Sequence, residues 1–162
     1  MKNTKLITML CLGALIACSP SKKGLEPTSE QVSPRERLIE NLRATPQKGI
    51  MFGHHDDTVY GIGWEFDEGG SDVQKVCGDY PAVISFDLGE IELGGDKSLD
   101  KVPFEKIRKE IINQYNRGGL VSLSWHPRNP KTGGDAWDVS DHAVVKSILP
   151  EGENYEKFQS WL

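Results

Sequence analysis

Short apolar runs alternate with amphipathic segments along most of this sequence. Residues 49–53, 82–88 and 120–126 are compact apolar runs of the length of a buried strand. Between the last two runs, apolar side chains recur three or four positions apart over residues 103–117, and a glycine pair follows at 118–119. This spacing predicts an amphipathic helix that ends at the glycines. The pattern therefore predicts strands and helices in alternation.

Three further segments carry helix signals. Residues 33–36 combine a serine N-cap, a proline at the first helical position and a glutamate in the first turn, and they predict a leading helix. Another helix is predicted to begin at Ser71, and others over residues 141–149 and from about Asn154. Together with the strands, these segments predict a parallel α/β fold.

Polar side chains follow each predicted strand. His54 and His55 come directly after the first strand, Asp87 ends the second, and His126 ends the third. In parallel α/β folds, functional residues collect at the carboxyl ends of the strands. The organisation therefore predicts an enzyme or a ligand-binding protein.

The first residues have the pattern of a bacterial lipoprotein signal. Residues 1–17 are a short positive segment followed by an apolar run too brief to span a bilayer, and Cys18 follows small residues. We expect cleavage before Cys18 and lipidation of its thiol, which would anchor the chain to a membrane of the cell envelope. Ser19 after the cysteine favours the outer membrane. Residues 18–33 are predicted to be a flexible linker, and 34–162 the folded domain.

Charge and cysteine content narrow the function classes. The formal net charge is -5, and no basic stripe is present, which argues against a nucleic-acid partner and is compatible with a neutral polysaccharide. Of the three cysteines, Cys11 and Cys18 lie in the signal region. Cys77 is left without a partner, so no disulfide framework is expected, and we predict that it is buried at the end of a helix.

Three motifs occur in order between Gly49 and Trp137. They are residues 52–57 with the Tyr60-Gly61 pair, residues 71–87, and residues 124–127 with the Asn129-Pro130 pair. The series resembles glycoside hydrolase family 26, a family of retaining β-mannanases built on a (β/α)8 barrel. The resemblance implies the N-terminal portion of a TIM barrel with about three β/α units. A whole barrel takes about 250 residues, so the barrel is expected to be incomplete.

The resemblance implies a retaining endo-β-1,4-mannanase that acts on β-mannan or galactomannan without a cofactor. In the family, the acid/base glutamate ends the fourth barrel strand and the nucleophile ends the seventh. Both are expected beyond Leu162, so no residue present is assigned a catalytic role, and the chain alone is expected to be inactive. Four nearby glutamates match no catalytic position and are expected to be solvated loop residues: Glu65, Glu68, Glu90 and Glu92.

The resemblance also implies part of a sugar-binding cleft. His126 and Trp137 match family positions on the non-reducing side, where a histidine bonds sugar hydroxyls and an indole stacks on a pyranose face. Trp125 should face the opposite side by strand alternation and lie in the core. Asp87 is expected to organise the site rather than to react. The predicted substrate-binding residues are His126, Trp137, His54, His55, Asp87 and Asn129.

Two other functions remain open. Histidines and aspartates at successive strand ends are ligands that zinc uses, so a metal-dependent polysaccharide hydrolase or deacetylase is one alternative. However, the consecutive residues 53–57 lack the alternate spacing that would point two side chains of one strand into one pocket, and no metal site is predicted. The other alternative is a non-catalytic surface lipoprotein that binds glycans.

Overall fold

The computed structural model describes residues 32–162. The predicted signal peptide, nearly all of the predicted linker and Cys18 lie outside these residues. The chain divides at Asn41 into two compact units. The helices are α1 (Pro34–Ala44), α2 (Asp72–Cys77), α3 (Phe104–Asn116), α4 (Val144–Ser147) and α5 (Tyr155–Gln159), with 3-10 turns at Thr45–Gln47 and Ile91–Leu93. The strands are β1 (Gly53–His55), β2 (Tyr60–Gly61), β3 (Trp64–Glu65), β4 (Val83–Asp87) and β5 (Leu120–Ser124).

The three longest strands form one parallel sheet in the order β1-β4-β5. Val83 pairs with Gly53 on one side and with Leu120 on the other. The short strands β2 and β3 form a separate antiparallel pair. The parallel α/β fold is therefore confirmed, with part of a sheet and no closed barrel in residues 32–162.

The predicted position of the first strand is wrong. The apolar run that predicts this strand spans residues 49–53, but β1 begins only at Gly53, and Ile50 and Phe52 are exposed. Pairing with β4 starts where the Val83 amide donates to the Phe52 carbonyl at 3.1 Å. A Cβ at Gly53 would lie 3.3 Å from Val83 Cβ, so the glycine permits this close approach. The neighbouring strand, rather than local hydrophobicity, sets where β1 begins.

The hydrophobic core lies between β4 and α3. Ile84 and Phe86 of β4 are fully buried, and they cluster with Val59, Val102 and Ile107. Because alternate residues of a strand point to opposite faces, Asp87 lies on the face of β4 opposite to Ile84 and Phe86. The core therefore anchors a strand whose other face carries a predicted site residue.

Helix boundaries follow their local caps. Ser33 and Glu36 form a reciprocal capping box, with amide-to-side-chain distances of 2.9 and 3.2 Å, and the predicted leading helix is confirmed. The helix predicted over residues 141–149 is only Val144–Ser147, because Asp141 Oδ1 accepts from the Ala143 amide at 2.7 Å and forms a turn before it. None of the helices in residues 32–162 has the length and apolar character needed to cross a membrane.

Cys77 is exposed, so its predicted burial is wrong. It is the last residue of α2, a six-residue helix capped by Ser71 and closed by Gly78 in the left-handed conformation. None of the residues of α2 is buried. Cys77 is therefore exposed because the helix that it ends lies at the surface.

Candidate functional site

The carboxyl ends of β1, β4 and β5 meet at one edge of the sheet, where Asp87 pairs with Ser124. His55 ends β1, and His126 lies two residues beyond β5. Trp137 and Asn129 lie on the loop that follows β5. The predicted site residues therefore lie at this edge, on the strand ends and on the loop after β5.

Asp87 and His126 form a pair that joins β4 to β5. Asp87 is 3% exposed, its Oδ2 accepts from His126 Nδ1, and its Oδ1 accepts from the Gly89 amide at 2.6 Å. Burial raises the pKa of Asp87, but the Gly89 amide and the His126 ring outweigh burial and hold it below its usual range. The ionised carboxylate keeps the proton of a neutral His126 ring on Nδ1, which leaves Nε2 as an acceptor.

Trp137 stacks on the ring of His126. The two ring centroids are 5.9 Å apart, and the planes are inclined by 11°. The side chain of His126 is 51% exposed, and Trp137 is 69% exposed. The pair presents an open indole surface beside a polar imidazole edge, and these are the two features that a pyranose ring with its hydroxyls requires.

Asn129 shapes the loop that carries Trp137. It is buried, and its Oδ1 accepts from the amides of Lys131 at 3.0 Å and Thr132 at 3.2 Å. Its Nδ2 donates to the Asp138 carbonyl at 3.3 Å. The amide is thus engaged within the loop that carries Trp137. A sugar contact by Asn129 stays a prediction.

His55 belongs to a second histidine–aspartate pair, at the end of β1. Its Nε2 lies 3.2 Å from Asp56 Oδ2, and Tyr60 donates its hydroxyl to the same oxygen, also at 3.2 Å. Asp56 is 2% exposed, and its Oδ1 has no hydrogen-bond partner in the structure. Burial raises the pKa of Asp56, although His55 and Tyr60 oppose it. Burial and the charge of Asp56 raise the pKa of Tyr60 to about 12.

His54 is engaged with the backbone of β1. Its Nδ1–H donates to the His55 carbonyl at 2.7 Å, and its side chain is exposed. Consecutive strand residues point to opposite faces, so His54 and His55 do not serve one pocket. Sugar contacts by His54 and His55 stay predictions.

Two of the four glutamates expected to be solvated are partly buried, and three of the four have partners within the protein. Glu65 and Glu68 are exposed, and Glu68 pairs with Lys109. Glu90 and Glu92 differ, because both bind Arg128, and Glu92 also accepts from Trp125. Their partners lie 33 to 38 positions later in the chain, and no sequence motif predicts contacts at such separations.

Trp125 lies partly buried, as expected of a packing residue. Its ring stacks on Phe158 with centroids 6.0 Å apart and planes 17° apart. It packs on Phe158 and lies outside the buried core cluster, so its predicted place in the core is wrong.

No metal-binding cluster is present in the part of the chain that the structure describes. Histidine and aspartate occur there as two separate pairs, and no group of three or more metal-ligating side chains comes together in residues 32–162. A structural zinc site needs four ligands, and a catalytic one three. The described residues thus give the metal-dependent alternative no support.

The sequence profile of glycosyl hydrolase family 26 matches residues 27–160. The chain belongs to this family. A mannan endo-1,4-beta-mannosidase from Bifidobacterium adolescentis is 32% identical over 120 residues, which are 72% of this chain and 12% of that protein. The chain thus spans about an eighth of the length of this relative.

Solved structures of the family share the fold. A family 26 β-mannanase from Bacteroides ovatus is 64% identical with a TM-score of 0.75, over 76% of this chain and 36% of that one. An endo-β-1,4-mannanase from Cellulomonas fimi is 27% identical with a TM-score of 0.57, over 70% of this chain and 26% of that one. These neighbours are TIM barrels, so the predicted fold class, an incomplete (β/α)8 barrel, is confirmed.

Proposed function

We propose that these residues supply glycan-binding side chains of a retaining endo-β-1,4-mannanase that acts on β-mannan or galactomannan. The observation that carries the proposal is the exposed Trp137 ring stacked beside His126, at the carboxyl end of β5 in a family 26 chain. The relatives named as mannanases support the choice of substrate.

Each residue of the site has a separate task. Trp137 offers its indole face to the C–H face of a pyranose, and water is excluded where the two surfaces meet. His126 accepts a hydrogen bond from a sugar hydroxyl at Nε2, because Asp87 holds the proton on Nδ1. Asp87 itself is buried and acts through the histidine.

We assign no catalytic carboxylate among the described residues of the site. Retaining hydrolysis needs two carboxyl groups about 5 to 5.5 Å apart across the scissile bond, one protonated and one free to attack. Asp56 and Asp87 are buried behind histidines, and Glu90 and Glu92 are bonded to Arg128. In this proposal, the described residues bind and orient the glycan.

The test is the release of reducing sugar from galactomannan. Residues 1–162 and the reading frame carried to its natural stop codon are assayed side by side, each with His126→Ala and Trp137→Ala variants. We expect activity in the longer chain and a loss of about tenfold or more in both variants, since aromatic anchors dominate binding energies. Tyr115→Ala is the matched control, because Tyr115 is an exposed aromatic residue on α3.

Other results would select the alternatives. If neither chain is active but the wild type binds mannotetraose through Trp137, the protein is a glycan-binding lipoprotein. If a stoichiometric metal ion accompanies activity and its removal abolishes that activity, the hypothesis of a metal-dependent hydrolase or deacetylase replaces the proposed mannanase.

We also propose that Cys18 carries a lipid anchor that holds the protein at the outer membrane. The support is the apolar segment before the cysteine and the polar segment after it. Radiolabelled palmitate fed to producing cells should label the wild type and Cys77→Ala but not Cys18→Ala. Equal labelling of all three proteins would contradict the anchor.

A further inference from the structure

Glu92 joins the loop after β4 to the loop after β5. Its Oε2 accepts a hydrogen bond from Trp125 Nε1 at 3.0 Å, and its Oε1 accepts one from the Arg128 amide at 2.7 Å. The neighbouring Glu90 pairs with the Arg128 guanidinium, with Oε1 2.6 Å from Nη2. Two carboxylates of one short segment thus hold the start of the loop that follows β5.

The backbone of this segment is shaped to present both carboxylates. Glu90 has a φ of 69°, a left-handed conformation that is unfavourable for a non-glycine residue. The Leu93 amide donates to the Glu90 carbonyl at 3.0 Å and starts the 3-10 turn that contains Glu92. Such a conformation persists where its surroundings hold it, and the pair with Arg128 does so here.

The two residues that Glu92 binds enclose only His126 and Pro127. Pro127 has a fixed φ near −65°, so this short stretch has little freedom of its own. With Trp125 and Arg128 tied to one carboxylate, the ring of His126 stays between Asp87 and Trp137. We propose that Glu92 is a positioning residue for His126 and, on the basis of the proposed function, for the sugar bound there.

A positioning role of Glu92 can be distinguished from a purely structural one, because Trp125 has a second contact that holds it in place. Its ring stacks on Phe158 at 6.0 Å, so packing retains the indole when Glu92 is removed. Glu92 also lies outside the buried cluster of Ile84, Phe86 and Ile107. Removal of Glu92 should therefore loosen the backbone at His126 more than it unfolds the chain.

The first readout needs no sugar. The ring nitrogens of His126 are observed by NMR in the reading frame carried to its stop codon, and the signals are assigned by their loss in His126→Ala. We expect a single Nδ1–H tautomer in the wild type and a shift toward mixed tautomers in Glu92→Ala, with Glu92→Gln in between. Glu68→Gln, which alters an exposed paired carboxylate, should leave the ring unchanged.

The second readout is the affinity for mannotetraose by calorimetry. Glu92→Ala should weaken binding about tenfold, which lies within the range of coupling energies measured between residues in contact. In a His126→Ala background, the same change should have less than about a twofold effect, because its route to the sugar is already lost. A merely structural residue would weaken binding equally in both backgrounds.

Unchanged His126 ring signals in Glu92→Ala would overturn the proposal, and so would equal affinity losses in both backgrounds. If the wild type binds no mannotetraose, the proposed function fails, but the NMR readout still decides the role of Glu92. If Glu92→Ala does not fold, Trp125→Phe removes one of the two bonds from the other side and keeps an aromatic ring against Phe158. That variant should shift the ring signals in the same direction, and an unchanged ring would again count against the proposal.

Discussion

Two histidine–aspartate pairs lie at the same edge of the sheet and have opposite electrostatic character. Asp87 ends β4, His126 follows β5, and the pKa of Asp87 is lowered. His55 and Asp56 are consecutive at the end of β1, and the pKa of Asp56 is raised. The same residue types thus give one aspartate whose pKa is lowered and one whose pKa is raised.

Both carboxyls are buried, since Asp87 is 3% and Asp56 is 2% exposed, and burial raises the pKa of each. Asp87 has a partner on each oxygen, the Gly89 amide on one and His126 on the other. Asp56 places both of its partners on Oδ2 and leaves Oδ1 without one. At Asp56, burial and the charges of Asp87 and Asp100 outweigh His55 and Tyr60, so the pKa rises. At Asp87, the Gly89 amide and His126 outweigh burial, so the pKa falls.

The largest expected effect comes from Gly89→Ala, which crowds the Asp87 pair. An added Cβ would lie 2.1 Å from Leu99 Cδ2 and 3.0 Å from both Asp87 Oδ1 and the His126 carbonyl oxygen. Leu99 can rotate away, but the two oxygens are held, so we expect a loss of about 3 kcal/mol in urea unfolding. Gly95→Ala in the same loop has nothing within 4 Å of its Cβ and should cost far less. Equal losses would contradict the crowding.

Asp87→Asn should cost about 2 kcal/mol at pH 7, because it removes charge-assisted bonds to His126 and Gly89. The folded pKa of Asp87 lies below the unfolded one, so its contribution is present above pH ~4 and is lost as the pH falls through the folded pKa. The difference in unfolding free energy between wild type and variant should therefore shrink in acid. A difference that grows toward low pH would refute the assignment.

Asp56→Asn should show the reverse pH dependence of the unfolding free energy. The folded pKa of Asp56 is raised, so its contribution is fully present below pH ~4 and is lost as the pH rises through the folded pKa. Urea titrations of both variants on one pH series compare the pairs directly. Parallel pH profiles for Asp56→Asn and Asp87→Asn would erase the distinction between the pairs.

The smallest expected change in stability is that of Tyr60→Phe, about 0.5 kcal/mol, because Asp56 retains His55. The spectroscopic change is larger. The ultraviolet titration of the wild type minus that of the variant isolates the Tyr60 phenol, whose pKa should be about 12. A midpoint at the ordinary tyrosine value near 10 would show that Tyr60 does not face Asp56 in solution.

Local patterns predicted the elements that local forces form. The Ser33 capping box, the amphipathic helix ending near the glycines at 118–119, and the apolar strands β4 and β5 occur where the pattern places them. The predictions for the first strand and for the burial of Cys77 are wrong. The start of β1 depends on its pairing with β4, and the exposure of Cys77 depends on where α2 packs, and neither is local to the chain.

The sequence also predicted part of the candidate site. His126, Trp137 and Asp87 could be named from their places after predicted strands and from the family motifs, and the structure brings them together. The part played by Glu92 could not be foreseen, since its partners are 33 and 36 positions away. Nor could the internal use of the Asn129 amide, which depends on the path of one loop.

By itself, the sequence determined the alternation of strands and helices, the polar residues at the strand ends and the family. These properties depend on periodicity and on short motifs, which are local to the chain. Only the tertiary structure decided which donors and charges surround each buried aspartate, and hence that the pKa of Asp87 is lowered while that of Asp56 is raised. The free energy of a buried charge depends on the donors that surround it, and here those donors come from both neighbouring residues and distant strands.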